Sequence, residues 1–386
     1  MSTPPSPTPR GTLDETPPGE VVENAIELKE VEGLSQNQIV LRRFFRHRAA
    51  VAAMVVLIGI VLLAFTSIGV GPLPGWWAYS PNQTGTLTNP GGSPTMTLPT
   101  WLGGSGLAIG EHPFGQDEAG RDVFARVMRG TQTSLIVMVV VGLVASMVGI
   151  LVGALAGYYR GALDSWLMRF TDLVITIPVL VLGAILGSLA AGVGGAYLLA
   201  IFLGLASWTT LARLVRGEFL SLREREFVDA ARVAGASDRR IIFKHMLPNS
   251  IGVIIVNQTL LMSSAILLET ALSFVGMGIR YPNVSLGQLI NQYQEAFATR
   301  PWLFWWPGLL IVTIALTVNF IGDGLRDAFD PRQKRIPSQR KMDRAAARAA
   351  RSTGSASTGS GSNGSGSTGS GSNGAGANGA AAEPAL

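Results

Sequence analysis

The chain has 386 residues, of which 47 % are hydrophobic and only 14 % are charged. A soluble domain carries about 25 % charged residues, so this composition argues against a purely soluble protein. Cysteine is absent, which excludes disulfide bonds, thiol catalysis and zinc–thiolate or iron–sulfur sites. The net charge of +5 fits basic loops on one side of a membrane better than nucleic-acid binding, and no nucleic-acid partner is expected.

Five long stretches of the chain carry no charged residue, and a membrane-spanning helix needs about 20 apolar residues. The longest, Leu173–Ala212, is too long for one helix, and the glycines from Gly187 to Gly195 provide a break near its middle. We therefore predict six transmembrane helices. The other four stretches are Ala49–Val70, Thr131–Tyr159, Met246–Leu268 and Pro301–Gly322.

A further uncharged stretch, Gly71–Gly110, holds six prolines and nine glycines, so no helix can run through it and we predict a loop. The predicted organisation has five parts. They are a disordered N-terminal tail (1–35), an amphipathic segment leading into helix 1 (36–70), a loop on the extracellular or periplasmic side (71–130), a core domain with helices 2 to 6 and a large loop at 213–248 (131–335), and a disordered Gly/Ser/Ala-rich C-terminal tail (336–386).

Lysine and arginine are concentrated on alternate loops. The loop Arg213–His245 carries eight of them, and the segments before helix 1 and after helix 6 are also basic. Because loops rich in Lys and Arg face the cytoplasm, both termini are predicted to be cytoplasmic. The first 48 residues are too polar and too long for a signal peptide, so helix 1 is expected to be retained.

Motifs for catalysis are missing from the sequence. It contains no GxxxxGK[ST] phosphate loop and no HExxH metal motif. The three histidines, His47, His112 and His245, lie far apart in the chain, so no histidine metal cluster is expected. We therefore expect a protein that is not an enzyme and that holds no metal or cofactor of its own.

The large basic loop has the pattern of two short helices on either side of Gly235. Asp238 suits the start of the second helix, where a carboxylate interacts favourably with exposed N–H groups and the helix dipole. From periodicity alone, a solvated helical hairpin that links two spans is favoured. The alternative is a docking surface, because small residues at a turn let another protein approach closely.

A resemblance favours the docking surface. Asp229-Ala230-Ala231, followed by Gly235 and by Leu247-Pro248, resembles the EAA loop of ABC importer permeases, with Asp in place of the first Glu. Three other segments resemble, in family order, motifs of C-type dipeptide and oligopeptide permeases. They are HPFGQDEAGRDVFARVMRGTQTSL (His112–Leu135, with Gln116 at a usual Thr), ETALSFVGMGIRYP (Glu269–Pro282) and NFIGDGLRDAFDPR (Asn319–Arg332).

This resemblance implies an all-α polytopic membrane protein with the type I ABC importer permease fold and a cytoplasmic coupling helix. It implies peptide import across a bacterial inner or plasma membrane. The implied partners are a second homologous permease, two ATP-binding cassette subunits that bind ATP and Mg²⁺, and an extracytoplasmic substrate-binding protein. The residues expected at the coupling contact are Asp229, Ala230, Ala231, Arg232, Gly235, Ala236, Ser237 and Arg239.

Polar residues on the fifth predicted span have two interpretations each. Asn257 and Ser264 are seven positions apart and share a helix face, which could line a translocation path or form hydrogen bonds between helices. Glu269 is expected near the outer face of the membrane. It is a functional group of the path, a solvated carboxylate at headgroup level, or a partner of Arg280.

A stand-alone secondary transporter or channel is the alternative function. Six spans and a basic loop permit it. Such a protein is expected to show an inverted repeat or charge pairs near the middle of the membrane. The sequence shows neither, because Glu269 is the one charged residue inside a predicted span and it is off-centre.

Overall fold

The computed structural model describes residues 36–97, 106, 108–190 and 195–329. Backbone contacts divide the chain into two units after Pro331, and all described residues belong to the first unit. Both predicted disordered tails lie outside the described residues, so their predictions stand untested.

The described residues are mostly helical, as the sequence predicts. Twelve α-helices form in this part of the chain. In chain order they are α1 (Gln36–Arg46), α2 (Arg48–Ser67), α3 (Val123–Tyr159), α4 (Gly161–Thr176), α5 (Val179–Ala190), α6 (Gly195–Ser207), α7 (Thr209–Arg223), α8 (Glu226–Val233), α9 (Asp238–Arg240), α10 (Leu247–Phe274), α11 (Leu286–Tyr293) and α12 (Trp302–Phe329).

The remaining regular structure is short. A two-stranded antiparallel hairpin pairs β1 (Gly69–Val70) with β2 (Leu73–Pro74). In its described residues, the uncharged stretch Gly71–Gly110 contains no longer helix than the 3₁₀ turn Pro90–Gly92. Its proline and glycine content explains this, because proline lacks a backbone donor and glycine disfavours the helix interior.

Four helices are long and apolar enough to cross a membrane. They are α2, α3, α12 and a continuous helix Asp238–Phe274, in which a π-helical turn (Ile241–Met246) joins α9 to α10. Two helix pairs are long and apolar enough together but bent, with α4 and α5 meeting at 81° and α6 and α7 at 44°. Counting each bent pair as one span gives the six that the sequence predicts.

Several predicted boundaries need correction. Helix α3 begins at Val123 rather than at Thr131, because Asp122 caps it by accepting a hydrogen bond from the backbone of Ala125 at 2.7 Å. The third span begins with α4 at Gly161 rather than at Leu173, and a bend at Pro178 divides it. The bend between α6 and α7 was not predicted, since no proline or glycine marks it.

Helix α3 packs closely against α7 through three glycines spaced four residues apart, Gly149, Gly153 and Gly157. A Cβ added at Gly153 would lie 2.4 Å from the carbonyl oxygen of Ala212 and 2.8 Å from the Cβ of Val215. Small residues at this spacing allow two membrane helices to approach until their backbones are in contact. The three glycines therefore set the distance between α3 and α7.

The bundle has two ends, which we define by their contents. The loop end carries α8 and α9, together with the start of α2 and the end of α12, where the added Cβ of Gly324 would meet Ala50. The far end carries α11 and the described residues of the segment 69–122. At the loop end the connection between α3 and α4 contacts the loop 213–248, where Arg160 pairs with Glu224 at 2.6 Å.

We expect Gly153→Val to destabilise the protein by about 1–3 kcal/mol or more, because the added side chain collides with the backbone of α7. Gly59→Val is the matched control, since no described atom lies within 4 Å of a Cβ added there. The measurement is the thermal unfolding temperature in detergent, followed by fluorescence. Equal unfolding temperatures for the two variants would contradict the close packing of α3 and α7.

Candidate functional site

Residues 224–240 are the exposed part of the predicted loop 213–248 and are called the coupling loop below after the role predicted for it. They are built around a left-handed turn at Gly235, whose φ is +76°. The backbone N–H of Ala236 donates to the carbonyl of Ala231 at 3.0 Å, and that of Gly235 donates to Arg232 at 2.9 Å. This pair of bonds is a Schellman motif, which ends α8 and favours glycine at the left-handed position. Helix α9 then begins at Asp238, as the sequence predicts.

The turn of the coupling loop presents an exposed surface of small and apolar groups. Val233 is 90 % exposed, and Phe227 is exposed on the same short helix. No described atom lies within 4 Å of a Cβ added at Gly235, so the space above the turn is open. The sequence interpretation missed Val233 and Phe227, although an apolar side chain beside a predicted docking turn was a signal for both.

The predicted coupling residues do not all lie on this exposed surface. Ala230, Gly235, Ser237 and Arg239 are exposed, together with Asp229 and Arg232. Ala231 and Ala236 are half-buried and pack against the chain's own hydrophobic cluster. Ala231 and Ala236 therefore help to anchor the loop to its own bundle, and their contact with another subunit stays a prediction.

Polar contacts join the coupling loop to α3. The hydroxyl of Tyr158 donates to Asp238 Oδ1 at 2.7 Å, and the guanidinium of Arg232 lies 5.9 Å from the centre of the Tyr158 ring. Arg232 also donates to Asp229 Oδ1 at 2.9 Å across one turn of α8. Asp229 and Arg232, both predicted coupling residues, are thus paired on the surface. Arg232 also contacts Tyr158 near the end of α3.

Apolar contacts fix the coupling loop to two more spanning helices. Val228 is completely buried in a cluster with Phe219 of α7 and Ile241 of the π-helical turn. That turn continues directly into α10. Helix α8 is therefore packed through Val228 against α7 and against the turn that leads into α10.

A polar node at the far end is centred on Glu269, which is completely buried in α10. Its carboxylate accepts hydrogen bonds from Ser273 at 2.7 Å and from Ser134 of α3 at 2.9 Å. The hydroxyl oxygens of these serines accept in turn from the backbone N–H groups of Ile279 at 3.0 Å and Leu286 at 3.3 Å. The node therefore connects α3, α10 and the chain leading into α11.

This geometry decides between the interpretations of Glu269. It is not a solvated headgroup-level carboxylate, and it is not paired with Arg280, whose exposed guanidinium donates to the carbonyl of Gly276 at 2.8 Å. Nor does its side chain line an open surface of this chain. Two serine hydroxyls satisfy it inside the protein, as a carboxylate at this depth requires.

Asn257 and Ser264 lie on the partly exposed side of α10. Asn257 donates to the carbonyl of Val253 at 2.9 Å and Ser264 to that of Leu260 at 3.0 Å, both within their own helix. The neighbouring Ser263 does bond between helices, because it donates to the carbonyl of Ala315 in α12 at 3.0 Å. Asn257 and Ser264 thus share an accessible face, and their place on a path stays a prediction.

A second polar cluster at the far end surrounds Asp117. Its carboxylate accepts from Arg121 at 2.7 Å and from the hydroxyl of Tyr293 at 2.9 Å, and Arg126 approaches to 3.4 Å. Burial raises the pKa of Tyr293, with Arg126 opposing this shift and Asp117 adding to it. Tyr293 therefore stays protonated and donating. The cluster ties the segment ahead of α3 to α11.

A metal centre does not form in this part of the chain. Among residues 36–97, 106, 108–190 and 195–329, no three His, Asp or Glu side chains are placed to hold a metal ion. The buried carboxylates described above are instead satisfied by hydroxyl groups, backbone N–H groups and guanidinium groups.

The fold and the site define a class of protein. It is a polytopic membrane protein in which a small exposed loop packs against the ends of several spanning helices. Residues 149–335 match the model of the binding-protein-dependent transport system inner membrane component. Residues 35–90 match the N-terminal transmembrane domain of oligopeptide transport permease C.

The relatives agree with these matches. The oligopeptide transport system permease protein OppC of Escherichia coli (strain K12) is 40 % identical over 82 % of this chain and 97 % of its own length. The OppC of Mycobacterium tuberculosis (strain H37Rv) is 36 % identical over 79 % of this chain and 98 % of its own length. The chain belongs to the family of binding-protein-dependent transport system inner membrane components.

A solved structure also matches part of the chain. It is an inward-facing conformation of the MetNI methionine ABC transporter, with a TM-score of 0.45 and 20 % sequence identity. The match covers 53 % of this chain and 96 % of that one.

We expect Glu269→Ala to lower the free energy of unfolding by about 2–4 kcal/mol, because the hydroxyls of Ser134 and Ser273 lose their buried acceptor. Ser264→Ala is the control, since it removes an exposed hydroxyl from the same helix. Thermal unfolding of the purified chain measures both variants. A Glu269→Ala protein as stable as Ser264→Ala would show that the polar node does not hold the helices together.

Proposed function

We propose that this chain is a transmembrane permease subunit of an ABC importer that moves di- or oligopeptides into the cytoplasm. A second homologous permease completes the pathway, and two ATP-binding cassette subunits bind and hydrolyse ATP with Mg²⁺. An extracytoplasmic binding protein delivers the substrate. The complex lies in a bacterial inner or plasma membrane, with both termini of this chain in the cytoplasm.

The coupling loop is the observation that carries this proposal. It combines an exposed apolar and small-residue surface around Gly235 with a buried attachment to three spanning helices. An exposed valine on a loop that is otherwise rich in arginine suits a protein partner, because apolar groups at an interface become buried on docking. The peptide substrate is supported by the relatives named as oligopeptide permeases.

The helix Asp238–Phe274 gives the proposed coupling a route. It runs without interruption from the coupling loop to the polar node, and its 37 residues span about 55 Å at 1.5 Å per residue. The π-helical turn Ile241–Met246 lies where it leaves the loop, and such turns frequently occur at functional sites. Closure of the ATPase subunits on α8 would displace this helix relative to α12.

A stand-alone transporter has less support. It must couple solute movement to an ion gradient through charged groups of its own. Glu269 is the charged residue deep in α10, and serine hydroxyls surround it in the described structure without an opposite charge. The family match adds nothing to this alternative, because it concerns transport that depends on a binding protein.

We expect Gly235→Trp to abolish peptide uptake while ATP hydrolysis by the reconstituted importer continues, because the indole fills the open space where the ATPase subunit docks. Gly235→Ala is the matched control, since it carries the same strain of a positive φ without a large side chain. Uptake and ATPase activity are measured in proteoliposomes, and membrane insertion by fractionation. Normal uptake by Gly235→Trp would refute the coupling assignment.

We expect Tyr158→Phe to lower peptide uptake several-fold at an unchanged basal ATPase rate, because it removes the hydrogen bond that ties Asp238 to α3 and keeps the ring. Tyr159→Phe is the control, since Tyr159 is the next residue in the chain and its side chain is exposed. The ratio of peptide transported to ATP hydrolysed is the quantity to compare. An identical ratio in both variants would remove α3 from the coupling route.

A further inference from the structure

A cavity of about 480 Å³ opens at the far end of the bundle, beside the polar node. Pockets for small ligands have volumes of roughly 300–1,000 Å³. One wall is a face of α3 that contributes Arg129, Gln132 and Thr133. Gln132 and Thr133 follow Arg129 by three and four positions, so both are its neighbours on the helix surface. The facing wall contributes Tyr197 of α6 and Asn283 of the segment before α11.

The cavity has a positive charge without a counter-charge. Arg129 is exposed, it is the only charged residue among the described lining residues, and none of them is acidic. No described carboxylate lies within ion-pair distance of its guanidinium. A cation in a concave site without an acidic neighbour favours an anionic ligand, and a guanidinium matches the two oxygens of a carboxylate.

Gln132 holds the Arg129 guanidinium in place. Its amide nitrogen donates to the carbonyls of Ala64 at 2.8 Å and Gly69 at 2.9 Å, which fixes the orientation of the side chain. Its oxygen then accepts from Arg129 Nη1 at 3.0 Å. This bond occupies one of the five N–H groups of the guanidinium, and the others remain for a ligand.

The facing wall is also fixed, and it is polar without charge. A Cβ added at Gly195 would lie 2.8 Å from Asn283 Nδ2, so the amide rests directly against the start of α6. The polar node holds the adjoining backbone, because Leu286 donates to Ser134. Amide and phenol groups such as those of Asn283 and Tyr197 can hydrogen-bond to the peptide groups of a ligand.

We propose that this cavity is a subsite for the C-terminal carboxylate of the transported peptide, with Arg129 as its anion-binding group. This inference rests on the proposed function and names one contact of its substrate. The carboxylate binds the guanidinium, and the last peptide group lies between Asn283 and Tyr197. A recessed cavity of this volume suits the end of a short peptide better than the surface of a folded binding protein.

The test compares uptake of alanine peptides of three to six residues with uptake of the same peptides carrying a C-terminal amide. The complete importer is reconstituted in proteoliposomes with saturating binding protein. We expect Arg129→Gln to lower the ratio of free-acid to amide uptake about tenfold, which is the effect of losing one charge-assisted hydrogen bond. Arg129→Lys should restore part of this ratio, because it keeps the charge.

Arg300→Gln is the matched control. It removes a positive charge from the same end of the bundle, where Arg300 pairs with the exposed Glu118 outside the cavity. This variant should keep the wild-type ratio. A carboxylate can also come from a side chain of the peptide. A peptide with a C-terminal amide and a glutamate side chain tests that source. Arg129-dependent uptake of that peptide, equal to uptake of the free acid, would overturn the assignment to the C-terminus.

Two other results would overturn the inference and are distinguishable from failure of the proposed function. An acid-to-amide ratio that Arg129→Gln leaves unchanged would remove Arg129 from substrate recognition. A weaker affinity for the binding protein, with uptake of both peptides lowered equally, would assign Arg129 to protein docking. If the wild-type importer transported none of the peptides, the proposed function itself would fail, and the subsite with it.

Discussion

The carboxylate of Glu269 must find its hydrogen-bond partners inside the protein, because a bilayer core cannot solvate it. The structure meets this requirement with hydroxyls from α10 and α3, and the same serines also accept from backbone groups of the following segment. One buried carboxylate therefore links α3, α10 and the segment that leads into α11. The far-end cavity lies beside this junction, and the facing wall that carries Asn283 depends on it.

The opposite end of the bundle is organised by packing rather than by buried charge. Gly149, Gly153 and Gly157 bring α3 into backbone contact with α7, and the coupling loop is attached where these helices end. Because interiors packed this closely do not deform continuously, the proposed displacement of the loop would move helices as units. The long helix Asp238–Phe274 then joins the exposed turn at one end to the polar node at the other.

The sequence of the coupling loop predicts part of its structure but not all of it. The left-handed turn at Gly235 and the start of a helix at Asp238 follow from local chemistry, and both are present. Which alanines face outward does not follow from local chemistry. Ala231 and Ala236 pack against Val228 and α7, whereas Val233 projects into open space, because the orientation of α8 depends on the cluster beneath it.

Composition and charge pattern determined the membrane class, the number of spans and the basic side of the bundle, because lipid imposes the same length and polarity on every spanning helix. Motifs indicated the family and the position of the loop that is predicted to couple. Only the tertiary structure decided that Glu269 is satisfied by Ser134 rather than by Arg280, and that Arg129 shares a cavity with Asn283. The two residues of each pair are more than a hundred positions apart in the chain. Side-chain contacts at such separations depend on how the helices pack, and a local sequence pattern does not predict that packing.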